Sequence, residues 1–89
     1  MPTVTFTSHL QRLVGAAPAQ VEGATVRAAL EAAFAQSPLL RGYVLDDQGA
    51  LRRHVIVFVG GEAVKDRIGL SDAVAPDAQI AVLQALSGG

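Results

Sequence analysis

Leu51-Arg52-Arg53-His54-Val55-Ile56-Val57-Phe58-Val59, followed by Gly60-Gly61 and Glu62-Ala63-Val64, is the stretch that decides the fold. Side chains alternate across a strand, so Val55, Val57 and Val59 share one face, and Ile56 and Phe58 share the other. Apolar residues on both faces predict a central strand running from Leu51 to Val59, partly covered on each side. Gly60-Gly61 supplies two residues that take positive φ without steric cost, as a two-residue hairpin turn requires. The chain therefore reverses, and Glu62-Ala63-Val64 opens a return strand.

Upstream of this hairpin lies the clearest helix. Val26, Ala29, Leu30, Ala33 and Phe34 recur at helical spacing on one face, and Thr25 stands where an N-cap belongs. The full capping box is missing, because the third residue after Thr25 is Ala28. Arg27 and Glu31 lie four apart on the opposite side, in the weaker order for an ion pair. Ser37-Pro38 stops the helix, since the residue before a proline avoids the α region. Leu39 to Gly49, with Gly42, Asp46-Asp47 and Gly49, is expected to be a loop with at most one irregular turn.

At the start, Thr3-Val4-Thr5-Phe6-Thr7 alternates as a short strand, and Ala19 to Gly23 reads as a second one, antiparallel to it. Ser8 to Pro18 is consistent with either a helical turn or a wide loop. Downstream, Lys65 to Ala75 is short, polar and broken by Gly69, Pro76-Asp77 is a turn, and Gln79 to Ala85 alternates as a final strand. Two hairpins flanking one helix give an α+β roll, a mixed sheet of about five strands with the helix packed across it. Residues 1–86 form this one domain, and 87–89 form a flexible tail.

Eighty-nine residues suffice for one core. Hydrophobic residues make up 51% and charged residues 17%, a globular balance. Seven Lys/Arg against eight Asp/Glu give a net charge of -1, with no basic stripe for a nucleic acid. The absence of cysteine removes disulfides, thiolate metal sites and a cysteine nucleophile, and suits a cytoplasmic location. No signal peptide is expected from Met1-Pro2-Thr3, and no apolar run approaches the roughly 18 residues of a membrane span. Only Phe6, Phe34, Tyr43 and Phe58 are aromatic, so the core is expected to be aliphatic and base-stacking platforms are not expected. His9 and His54 lack ligand spacing, which argues against a metal site. Asp46-Asp47 reads as a solvated turn, Arg52-Arg53 as a solvated strand end, and Lys65, the sole lysine, as a surface charge.

The final strand runs into Ala85-Leu86-Ser87-Gly88-Gly89. Nine of the 89 residues are glycine, so two together at the end arise by chance roughly once in a hundred. A frayed end, an expression scar and a linker stub are the bland readings.

Four stretches carry a resemblance to a known family: Ala24-Thr25-Val26-Arg27-Ala28-Ala29-Leu30, His54 to Glu62, Gly69-Leu70-Ser71-Asp72, and Ala85 to Gly89. Their order resembles the ubiquitin-like β-grasp fold, and more narrowly the MoaD/ThiS family of sulfur carriers. Many small subunits of molybdopterin synthase carry an asparagine where this chain has Gly60 and a proline where it has Gln84. The resemblance implies a carrier that binds no cofactor. A ubiquitin-activating-like adenylyltransferase would use ATP to adenylate Gly89. A sulfur donor of the cysteine desulfurase or rhodanese type would convert Gly89 to a thiocarboxylate, and a sulfur-accepting enzyme would consume it. The product could be molybdopterin, thiazole, cysteine, a thiolated tRNA or a sulfur-containing metabolite. Such a chain is a macromolecular substrate with no catalytic residue of its own, and needs neither nucleic acid nor membrane. Gly88 and Ser87 would be spacers, and Leu86 and Leu83 would dock partners, although strand packing explains Leu83 equally well. Two other readings stand beside this one: a protein modifier conjugated through Gly89, and a non-catalytic β-grasp interaction domain.

Overall fold

Gly60 and Gly61 hold φ values of +58° and +88°, and the turn they make sets the register of a sheet. The structure, a computed structural model, describes residues 1–15 and 18–84. The turn joins β3 (Val55–Val59) to β4 (Glu62–Ala63), with Val59 opposite Glu62 and Phe58 opposite Ala63. On its other side β3 pairs antiparallel with β5 (Gln79–Gln84). Strand β5 in turn lies parallel to β1 (Thr3–Phe6), which pairs antiparallel with β2 (Ala19–Gln20). The order is β2-β1-β5-β3-β4, a mixed five-stranded sheet as expected.

The middle place belongs to β5, and this corrects the expectation of a long central strand from Leu51. Arg53 and His54 form a turn, with the Val55 amide donating to the Arg52 carbonyl at 3.0 Å, so the strand starts only at Val55. Leu51 instead makes an isolated bridge with Leu45. Cover is unequal on the two faces: Val55 and Val57 are fully enclosed on the core side, whereas on the outer side Phe58 is half-buried and Ile56 is 41% exposed.

Helix α1 (Ser8–Val14) settles the ambiguous segment after β1, so β1 and β2 pair across a helical connection and not as a tight hairpin. Helix α2 (Val26–Gln36) lies where its periodicity placed it, with Val26, Ala29, Leu30, Ala33 and Phe34 buried. Thr25 Oγ1 accepts a hydrogen bond from the Ala28 amide at 3.2 Å, capping the helix. Helix α3 (Pro38–Val44) replaces the loop expected after Leu39. Pro38 does end α2, but it also occupies the first turn of α3, where a missing N–H costs nothing and φ is already set. Leu40 and Val44, four residues apart, turn the same face inward. The expected turn at Asp46–Gly49 is present: Asp46 Oδ1 accepts from the Gln48 and Ala50 amides.

The core between the helices and one sheet face is mainly aliphatic, with Phe6 and Phe34 its buried aromatics, and it encloses no polar or charged residue among those described. Among the described residues no helix is long and apolar enough to cross a membrane.

Candidate functional site

Residues directly opposite in a sheet share a face, so the register sorts β5 without ambiguity. Ile80 and Val82 lie with Val4, Phe6, Val57 and Val59 on the core side. Ala81 and Leu83 lie with Phe58 and Ile56 on the outer side, joined by Ala63 of β4. Leu83 is therefore half-buried on the outer face, not in the core, and packs across from the exposed Ile56. On β1 the same face turns polar with Thr3 and Thr5.

The apolar half of this outer face lies at the root of the C-terminal segment. The expected site residues Leu86, Ser87, Gly88 and Gly89, with Ala85 and the boundary drawn at residue 86, lie outside the described residues. What the structure places is the platform the segment leaves: β5, parallel to β1 and antiparallel to β3, fixes where residue 84 ends. Val55 stands opposite Gln84, so the exposed Arg53 and His54 border this end of the sheet.

Two polar atoms at that end are buried without a partner among the described residues, Gln84 Oε1 and Thr7 Oγ1. Thr7 follows β1 directly, and its amide donates to the Val82 carbonyl at 3.2 Å. It is the N-cap residue of α1, yet its side chain makes no capping bond.

Sequence reasoning missed two polar anchors that hold the loops. The Asp66 carboxylate accepts from the Ser71 hydroxyl at 2.6 Å, from the Gly69 amide at 2.8 Å, and from the Ile68 and Ser71 amides. The Ser71 hydroxyl is the main reason its pKa falls to about 2, with the Gly69 and Ser71 amides next. Asp72 is lowered too, chiefly by the Lys65 amide and then the Asp66 amide. Arg27, placed by the helical pattern merely opposite the core, donates to the carbonyls of Gly49 at 2.6 Å, Ile68 at 3.1 Å and Gly69 at 3.3 Å. It also pairs with Glu31 at 3.6 Å, and Arg41 bonds the same carboxylate, lowering its pKa. The spacing Asp66-x-x-Gly69-x-Ser71 was the available signal for the first anchor. Arg52 is likewise no simple solvated end, since its Nε donates to the Gly42 carbonyl at 2.7 Å.

Among the described residues no three His, Asp or Glu side chains converge as metal ligands. The side chain of His9 lies outside the described part. Lys65 is exposed.

A search of the curated proteins finds no match. Among solved structures, SAMP1 from Haloferax volcanii is 31% identical, with 99% of this chain and 98% of that one covered and a TM-score of 0.80. CysO from Mycobacterium tuberculosis is 25% identical over 97% and 100% of the two chains, at a TM-score of 0.82. The BexX/CysO complex of Amycolatopsis orientalis matches in fold, at 23% identity over the whole of both chains and a TM-score of 0.85. The ThiS family model matches residues 4–89. The chain has the ubiquitin-like β-grasp fold and belongs to the ThiS family.

Proposed function

We propose that this chain is a sulfur carrier, charged at Gly89 by an adenylyltransferase of the ubiquitin-activating type. The observation that carries the reading is the family match, which continues through the β-grasp core to Gly88 and Gly89. An α-carboxylate with a pKa of about 3.5 is ionised at neutral pH and is a poor acyl donor, since oxide would have to leave. Attack of the Gly89 carboxylate on the α-phosphorus of ATP expels pyrophosphate and gives a glycyl adenylate. The terminal sulfur of a persulfide on the donor enzyme then displaces AMP to give an acyl disulfide, and a second thiol, of the donor system, attacks the donor's sulfur, leaving a disulfide there and releasing the thiocarboxylate. The chain contributes no acid, base or metal to these steps; it presents the reacting end.

Two glycines suit that task. A side chain at residue 88 or 89 would obstruct a narrow channel to a buried nucleotide, while bare backbone can pair along it as an extended strand. Ser87 extends the spacer. The outer face formed by Ile56, Phe58, Ala81 and Leu83 supplies an apolar docking surface at the end of β5, and Leu86 would dock the partner together with it. Deleting Gly89 tests the reading: charging should vanish while Tm stays within about 1 °C, because a terminal residue contributes little to stability. Charging that persisted would contradict the role of Gly89.

A second reading is favoured by the 31% identity to SAMP1, named a small archaeal modifier protein. The same adenylate, or a thioester made from it, would be attacked by a lysine amine to give an isopeptide bond. Lys65 is the only lysine of the chain and is exposed, so self-conjugation through a side chain would have a single linkage.

A further inference from the structure

The turn in front of β3 gathers like charges that the fold does not neutralise. Of the seven Lys and Arg residues, Arg27 and Arg41 pair with Glu31. Arg52, Arg53 and Arg67 make no ion pair among the described residues, yet they meet at one place. The Leu51 amide donates to the Arg67 carbonyl at 2.9 Å, and Arg67 Nη2 donates to the Arg52 carbonyl at 2.8 Å. Arg52 Nε donates to the Gly42 carbonyl at 2.7 Å. Both guanidinium groups are thus held in place by backbone oxygens, which cancel no charge. Arg53, the next residue of the turn, is exposed. Asp46 and Asp47 border a hollow with Arg52 but do not pair with it, and Asp46 Oδ1 is taken up by the Gln48 and Ala50 amides. Like charges held together repel, a cost that salt screens only in part.

Exposed carboxylates lie at the opposite end of the sheet. Strand β3 runs about 13 Å from Val55 to Val59, and Val59 stands opposite Glu62. Glu22 follows β2 and Asp77 precedes β5 at that same end, and all three are exposed. A chain of net charge -1 is therefore basic where β3 begins and acidic where it ends. The basic turn also adjoins the apolar outer face, since Ile56, 41% exposed, follows Arg53 by three residues. Apolar surface bordered by arginines matches a protein surface whose apolar centre has an acidic rim. A nucleic acid fits less well, because the cations occupy one turn and the far end would repel phosphates. We propose that Arg53, backed by Arg52 and Arg67, docks an acidic rim of the adenylyltransferase. The inference rests on the carrier reading above and deepens it by naming the chemistry of the partner's surface. The two oppositely charged ends orient the carrier as it approaches, so the effect falls on encounter and not on the chemical step.

The test uses the full chain with the ubiquitin-activating-like adenylyltransferase of the same organism, ATP and labelled pyrophosphate. Exchange of label into ATP reads formation of the adenylate without any sulfur donor. At low salt Arg53→Ala should raise KM for the carrier about fivefold, and Arg53→Glu by more than about tenfold, with kcat within about twofold in both. Arg53→Lys keeps the charge and should keep KM within about twofold of the parent. Because Arg53 is exposed, Tm should stay within about 2 °C in all three. Raising NaCl from about 0.1 M to about 1 M shortens the Debye length from about 10 Å to about 3 Å, and should bring the KM values of the parent and Arg53→Ala together. Glu22→Gln, at the far end, should leave KM within about twofold. An unchanged KM in Arg53→Ala, or a rise that salt does not diminish, would overturn the inference and leave the carrier reading intact. So would binding of a short RNA duplex that Arg53→Ala abolishes while KM is unchanged. Failure of the unaltered chain to support exchange would overturn both.

Discussion

Asp66 shows how one side chain can order a loop that looks featureless in sequence. Four donors converge on its carboxylate, and the Ser71 hydroxyl, the nearest of them, does most to lower its pKa from 3.8 to about 2. A carboxyl with a depressed pKa in the folded state contributes stability that is complete above 3.8 and lost as the pH falls toward 2. Asp66→Asn should therefore lower Tm at neutral pH and flatten its fall across that acid window, as measured by thermal melts between pH 7 and 2. Leu70 pays for the same loop with a φ of +55°, unusual for a leucine, yet it is completely buried and its amide donates to the Asp66 carbonyl. Gly23 is a second constrained residue. A Cβ there would come within 2.6 Å of the Ala29 amide nitrogen, a backbone atom in the first turn of α2 that cannot step aside. Gly23→Ala should cost about 1–3 kcal/mol in chemical denaturation, as overpacking does. The sequence revealed the Gly60-Gly61 turn because both residues act locally. It did not reveal Gly23 or Asp66, whose constraints come from elements distant in the chain or from a cage of backbone amides.

At the level of elements, the strong periodicities were legible and the short elements were not. Helix α2 was readable because five apolar residues repeat on one face and a threonine caps it. Helix α3 was hidden by Pro38 and Gly42, residues that usually mark loops; here Pro38 starts the helix and Gly42 has open space around it. The helix is held by burial, so Leu40→Ala, at a site 1% exposed, should cost about 2–5 kcal/mol in denaturant titration. Strand β3 was readable as a strand but not in its place, because alternation says which residues share a face and not which strand sits in the middle. The apolar Ile56 and Phe58 predict partial cover on a second face, which Phe58 finds while the sheet leaves Ile56 exposed. That exposure makes a separable prediction. Ile56→Thr keeps a β-branched side chain, so stability should change by less than about 1 kcal/mol, whereas KM in the charging assay should rise several-fold.

For the whole molecule, a chain of 89 residues has little core to spare, and its loops are tied to α2 by Arg27 through three carbonyls. In the function proposed above, the sheet and helices hold a platform and the last residues react at other proteins' catalytic groups. The order of elements and the Gly-Gly end were enough to point to the ThiS family, whose match spans residues 4–89. The recipient that the proposed function requires was not legible, because no residue of a carrier records what its recipient makes. Intact-mass analysis of the chain after incubation with the adenylyltransferase, ATP and a sulfur donor distinguishes a carrier from a modifier. Charging at the terminus should give a single product heavier by the difference between sulfur and oxygen, located by fragmentation at Gly89 and absent when ATP is omitted. An unchanged mass, or a ladder of isopeptide-linked conjugates without any thiocarboxylate, would contradict it.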